Sequence, residues 1–169
     1  MKKSQFELQI LPFKDVIYRL SLSILKSKEW AEDVTQEVIL KLWDHKKRLH
    51  TISNIKGFVL KMTKNKCLDM LRKKQRQLQI VHLEEDTVGQ NASIENMEIR
   101  DLVEVAKQAI EQLPTLQRAT IQLRDVEGYE FSEIAEILET SESAVRMNLS
   151  RARKTIKRYL QKIESHGIK

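Results

Sequence analysis

Residues Phe131–Leu160 read FSEIAEILETSESAVRMNLSRARKTIKRYL, two helical patterns on either side of a very short break. In the first pattern, Ile134, Ala135, Ile137 and Leu138 share one face. In the second, Val145, Leu149, Ala152, Ile156 and Leu160 recur at steps of four, three, four and four, which is a helix period. Off that stripe stand Arg146, Arg151, Arg153, Lys154, Lys157 and Arg158. One face can therefore dock on the protein's own core while the rest presents cations. Two helices joined by a three- or four-residue turn, the second of them basic, form the pattern of a helix-turn-helix that reads DNA. An ordinary helical hairpin with a solvated basic face is the competing reading. From Ser143 to Arg158 there are six basic residues and no acid, and that run favours the DNA reader.

Charge along the rest of the chain is patterned too. The 169 residues carry 30 Lys+Arg against 24 Asp+Glu, a formal charge of +6 and a pI near 9.4. Such an excess is compatible with a nucleic-acid partner without requiring one. Its distribution says more. Lys56 to Gln77 holds eight basic residues against the single Asp69, whereas Leu78 to Val105 holds seven acids against the single Arg100. The order is basic, acidic, basic, so two separate cationic surfaces flank an acidic middle, as suits a polyanion gripped at two places.

The single cysteine, Cys67, rules out an internal disulfide and is compatible with a reducing cytosol. Its spacing predicts a small apolar core residue on a helix rather than a reactive thiol. The N-terminal MKKSQFELQILPF has only a short, interrupted apolar run, and no segment approaches 18 apolar residues. The expectation is a cytoplasmic protein with no signal peptide and no membrane span.

Four Gly, two Pro and no strand-type alternation predict an all-α chain. A first helix is expected to begin near Pro12 and to run through Val16, Ile17, Leu20 and Ile24. A second covers Lys28 to Arg48, with Trp30, Val34, Val38, Leu42 and Trp43 toward a core. A third runs from about Asn54 to Gln77. Periodicity then fades into an acidic linker, with Ser93 a candidate N-cap for the helix that follows. That helix ends before Leu113-Pro114. Thr115 to Glu127 forms another, with Gly128 as its C-terminal cap, and Ser141 caps the second helix of the opening pair. The expected organisation is two small helical domains, 8–77 and 97–163, joined by the linker 78–96.

Three groups of residues are candidates for function. On the outward side of the second helix of the pair lie Ser143, Arg146, Met147 and Ser150, near the end that enters a major groove. Arg146 suits a bidentate contact to guanine, while Arg151, Lys154 and Lys157 suit phosphates. The basic helix carries Asn54, Lys56 and Phe58 at its start and Asn65 further along. Asn can read base edges and an aromatic ring can stack on an unpaired base, although a charge run is also what a plain solvated helix shows. The helix around Trp30 to Trp43 has an acidic outer side with Asp33, Gln36 and Glu37. It has no DNA logic. A basic protein partner and a helix start favoured by the macrodipole remain equally good readings of it. The four histidines have no metal-ligand spacing, and no nucleophile–base pair can be argued, so neither cofactor nor catalysis is expected.

Taken together, three segments resemble those of an extracytoplasmic-function (ECF) sigma factor of bacterial RNA polymerase, group IV of the sigma-70 family. AEDVTQEVILKLW (Ala31–Trp43) is similar to the polymerase-binding helix, NIKGFVLKMTKNKCLDMLRKKQR (Asn54–Arg76) to the segment that recognises and melts the −10 element, and Leu113–Leu160 to the domain that reads the −35 element. The resemblance spans about residues 10–162 and implies two helical domains of the sigma-2 and sigma-4 types. It implies that Asp33, Gln36 and Glu37 dock on the β′ clamp helices, that Asn65 lies near a flipped −10 base, and that Arg72, Lys73 and Lys74 track phosphates there. Arg146, Ser150 and Arg151 take −35 contact positions. Phe58 stands where many members have Trp, and Met147-Asn148 replaces the more usual Ser-Arg. Family members are commonly held by an anti-sigma factor, which makes one an implied partner beside core polymerase and promoter DNA. A helix-turn-helix regulator that never joins polymerase is the alternative, and a nuclease would need a carboxylate or histidine cluster.

Overall fold

The structure is a computed structural model and describes residues 3–81 and 99–167. Among them the regular elements are helical. They are α1 (Lys3–Ile10), α2 (Lys14–Leu25), α3 (Lys28–Asp44), the single turn α4 (Lys46–Leu49), α5 (Ile55–Val81), α6 (Ile99–Glu111), α7 (Thr115–Ile121), α8 (Phe131–Leu138) and α9 (Glu142–Gly167). Of the expected linker 78–96, residues 78–81 continue α5, and the rest, with Ser93, lies outside the described residues.

Local chemistry sets most boundaries. Ser27 opens α3, its hydroxyl accepting from the Trp30 amide. Asn54 opens α5: its Oδ1 accepts from the Gly57 amide at 2.9 Å. A Cβ on Gly57 would sit 2.6 Å from the Asn54 side-chain nitrogen, so any larger residue there would push the capping amide from this position. Gly128, at φ +74, ends the α7 segment. The Ser141 hydroxyl accepts from the Ala144 amide and caps α9, as its sequence position predicts.

Three elements differ from the sequence reading. A short helix, α1, precedes Pro12, because Phe6 and Ile10 bury against the core and Phe6 meets the edge of Trp43 at 5.0 Å. The helix from Lys28 breaks at His45 (φ −94, ψ 10), and Lys46–Leu49 forms a separate turn that drops Leu49 into the core. Thr115 to Val126 is not uniform α-helix. It widens into a π turn over Gln122–Val126, which ends in the bond from the Glu127 amide to the Gln122 carbonyl.

The two halves share a core. Ile17, Leu20, Ile24, Val34, Val38, Leu42, Val59, Leu60 and Cys67 join Ala119, Leu123, Tyr129, Ile134, Ile137 and Leu138 in one buried apolar cluster. Arg118 of α7 fastens them further. It is buried, and its guanidinium donates to the carbonyls of Ser23 (2.6 Å) and Ile24 (3.0 Å) at the end of α2, and to Leu113. Those α2 carbonyls belong to the last turn and have no partner within their own helix.

Cys67 is fully buried, and burial pushes its thiol up to about 11. The thiolate is the reactive form. Iodoacetamide at about pH 8 is therefore expected to label Cys67 only after denaturant is added. Rapid labelling of the native protein would contradict this packing.

Candidate nucleic-acid and polymerase interfaces

The apolar stripe of α9 buries Val145, Leu149 and Ala152, which leaves its opposite side to solvent. Ser143, Arg146, Met147, Ser150, Arg151 and Lys154 are all exposed there, at spacings that keep them on one side of the helix. Met147 has 48% of its surface open and is available for contact. Arg146 is held in place: its guanidinium lies 4.0 Å from the centre of the Phe131 ring, and Nη2 donates to Glu142 at 3.1 Å. Arg124 approaches the same ring at 4.7 Å. Phe131 was expected only as the start of the first helix, and the structure makes it the platform under Arg146. Arg153 differs from its basic neighbours. It is paired with Asp125 through two hydrogen bonds, so it anchors α9 and does not extend the cationic face.

On α5 the candidate residues divide into three places. Phe58 and Asn65 line a cleft of about 440 Å³ with Val38, Lys41, Lys61, Met62, Lys66 and Asp69. Phe58 is half-buried and Asn65 exposed at this cleft, so a ring and an amide meet in one recess. Arg72 and Lys73 are exposed two turns further on, Arg72 in contact with Asp69 at 3.0 Å. Lys74 lies 4.4 Å over the Trp30 ring. Asn54 and Lys56, at the start of α5, face the other half of the chain. The Asn54 amide donates to Glu136 at 3.3 Å, and the Lys56 ammonium sits 3.8 Å from the Tyr129 ring centre.

Two residues there carry no motif signal of their own. Lys61 and Lys64 both reach the Glu139 carboxylate, at 2.9 and 2.5 Å. Lys64, then Lys61, hold that carboxyl down at about 2, well below its ordinary 4.5. Because the folded value is depressed, the contribution of this contact is complete above the ordinary value. It is lost as pH falls from about 4.5 toward 2.

On α3, Asp33 and Gln36 are exposed. Glu37 is half-buried and already engaged: Lys66 of α5 donates to it at 2.5 Å, and Lys41 lies 3.6 Å away. The Lys66 hydrogen bond is the main cause that lowers its carboxyl below the usual range. Glu37 thus ties α3 to the wall of the α5 cleft. Leu40 is 62% exposed one turn beyond and continues the line of Asp33, Gln36 and Glu37. A single exposed leucine carries no signal of its own in a sequence.

Two sequence models of one family match this chain. Sigma-70 region 2 matches residues 10–77, and Sigma-70, region 4 matches residues 104–156. Both modules in one chain, with α3 and α5 in the first and α8 and α9 in the second, define an RNA polymerase sigma factor. Among curated relatives, the ECF RNA polymerase sigma factor SigM of Bacillus subtilis is 27% identical over 146 residues, 83% of this chain and 86% of the relative. RNA polymerase sigma factor SigV of the same bacterium is 29% identical over 167 residues, 96% and 98% of the two chains. ECF RNA polymerase sigma factor SigE of Mycolicibacterium smegmatis is 30% identical over 155 residues, 89% and 60%. Two solved structures share the fold. The sigma factor RpoE from Bartonella quintana, solved in complex with the anti-sigma factor NepR, gives a TM-score of 0.72 at 21% identity, covering 93% of this chain and 97% of that one. CnrH, in complex with the cytosolic domain of CnrY, gives 0.64 at 18%, covering 95% and 90%. The chain belongs to the ECF branch of the sigma-70 family.

Proposed function

We propose that this sigma factor works as a two-ended promoter clamp in the cytoplasm, as a non-catalytic subunit of RNA polymerase. The N-terminal domain, 8–77, docks on the β′ clamp helices through Asp33 and Gln36, with Glu37 holding α3 against α5 and Leu40 adding an apolar contact. Its α5 cleft takes the unwound −10 strand: Phe58 offers a face for stacking, Asn65 an amide for base edges, and Arg72 and Lys73 cations for the backbone. Asn54 and Lys56 extend this surface toward the start of the helix. The C-terminal domain, 97–163, lays α9 in the −35 major groove, where Arg146, Met147, Ser143 and Ser150 face bases and Arg151 and Lys154 face phosphates. Melting costs pairing and stacking, and capture of an extruded base in the cleft offsets part of that cost. An anti-sigma factor is the natural further partner, since the RpoE neighbour is solved with one. Among the described residues no helix is long and apolar enough to cross a membrane.

The observation that carries this reading is the pairing of an α9 face suited to duplex with an α5 cleft that joins a ring, an amide and cations. A regulator acting without polymerase needs only the first. Run-off transcription with purified core polymerase, on a template library randomised at two upstream blocks, tests it. Enrichment of defined sequences in both blocks is expected. Duplex binding with no transcript would favour the regulator. Within the same assay, Asp33→Ala with Gln36→Ala is expected to weaken core-polymerase binding at least tenfold, the scale of a lost interface hot spot, and to leave duplex binding by the chain alone unchanged. Undiminished polymerase binding would remove α3 as the docking surface.

A further inference from the structure

Beside the exposed residues of α5 proposed to meet DNA, two lysines are held by an acid from the other half of the chain. Glu139 follows α8 in the left-handed region, at φ 55 and ψ 50. Glycine is the residue that adopts this conformation without strain. A glutamate there accepts a backbone cost that glycine would avoid, so its side chain has work to do. That side chain reaches across to Lys61 and Lys64. Lys61 also lines the Phe58–Asn65 cleft. Lys64, adjacent to Asn65, is only 4% exposed, its ammonium enclosed against the carboxylate. One turn before, Glu136 accepts from Asn54.

We propose that Lys61 and Lys64 are phosphate-binding residues of the single-strand surface on α5, and that the Glu139 carboxylate occupies them in the free chain as an intramolecular stand-in for a DNA phosphate. The inference rests on the reading of α5 as the −10 surface. The chemistry of the substitution is direct. A carboxylate bridging two ammonium groups presents the charge and acceptor oxygens that a backbone phosphate would present. The same contacts hold the −35 reader against the −10 surface, so one event, separation of α8 from α5, exposes both lysines and frees the two DNA-binding ends to straddle a promoter. Arg19 with Glu127, at 2.7 Å, and Lys56 on Tyr129 reinforce the closed arrangement without touching the cleft. Glu139 joins the end of α8 to Lys61, a cation of the cleft lining.

The test uses the full chain and a fluorescently labelled single-stranded oligonucleotide of mixed sequence, read by anisotropy. Glu139→Gln and Glu139→Gly each remove the charge, and the glycine variant also relieves the backbone. Both are expected to bind the strand roughly tenfold more tightly than the parent, the sum of two released ion pairs. Adding Lys61→Gln and Lys64→Gln to either variant is expected to abolish the gain. Unchanged affinity in both Glu139 variants would overturn the latch. A gain that survives loss of the lysines would overturn their role as phosphate contacts. Failure of the underlying reading shows separately: if Phe58→Ala with Asn65→Ala transcribes as the parent does in the run-off assay, α5 is not the −10 surface.

Discussion

Arg118→Ala is expected to lower the thermal midpoint by roughly 6–12 °C, the equivalent of about 3 kcal/mol in a chain of this size. Arg118 is a buried cation that joins the two halves. Its guanidinium serves Ser23 and Ile24 at the end of α2 and Leu113 beside its own helix. Each hydrogen bond from a charged donor contributes about 1.5–3 kcal/mol. Truncation loses the bonds and leaves α2 carbonyls facing a void. Water entering as the halves loosen recovers part of the loss, which sets the expectation near 3 rather than at the sum. Burial lowers the proton affinity of the group, yet guanidinium stays charged at any working pH. Arg118→Lys should rescue little, because one ammonium cannot span carbonyls from α2 and from Leu113 in the directions of a planar fork. Differential scanning calorimetry reads the result. A midpoint within about 2 °C of the parent, a change below 1 kcal/mol at this chain length, would show that the shared apolar cluster alone holds the halves together.

Arg118 also marks the limit of what the sequence discloses. Period and punctuation locate what is local. The stripe Val145, Leu149 and Ala152 is buried as its spacing requires, and Ser141 and Gly128 cap and end their helices as residues of those types do. The −35 candidates needed no more than this, since one amphipathic helix fixes which side chains face out. The α5 surface was harder. Formal charge reads Lys61, Lys64, Lys66 and Arg153 as equal members of basic runs. Their partners Glu139, Glu37 and Asp125 lie 28–78 residues away along the chain. No periodicity encodes such a distance, so neutralised cations looked free. The break at His45 and the helix α1 were missed for a related reason. Both exist because Leu49, Phe6 and Ile10 fill the core, a tertiary demand with no local signature. Glu37 shows both sides of the problem. Its place beside Asp33 and Gln36 was readable as an acidic face, whereas its bond to Lys66 depends on how α3 packs on α5.

Arg146→Ala is expected to lower affinity for the cognate −35 duplex by roughly 5–150-fold, corresponding to the about 1–3 kcal/mol of a bidentate base contact. Affinity for random duplex should fall only by the share of one cation. The structure explains why this arginine, among the six candidate contact residues of α9, carries the larger effect. Its guanidinium rests on the Phe131 ring and is steadied by Glu142, so its fork is oriented before DNA arrives and little rotamer entropy remains to be lost. The Glu142 pair is exposed at both ends and worth well under about 1 kcal/mol, so it yields to a base without opposing binding. Phe131→Leu should then reproduce part of the loss while leaving every polar group of α9 in place, which separates orientation from contact. Arg151 and Lys154 face solvent, with no aromatic ring beneath them among the described residues. Replacing either should weaken all duplexes alike and reduce the salt slope by about one. Titrations of cognate and random duplex at several salt concentrations distinguish the cases. An equal fall on both duplexes for Arg146→Ala would make Arg146 a phosphate contact. Base choice would then pass to Met147, Ser143 and Ser150, the apolar and hydroxyl groups that share its face.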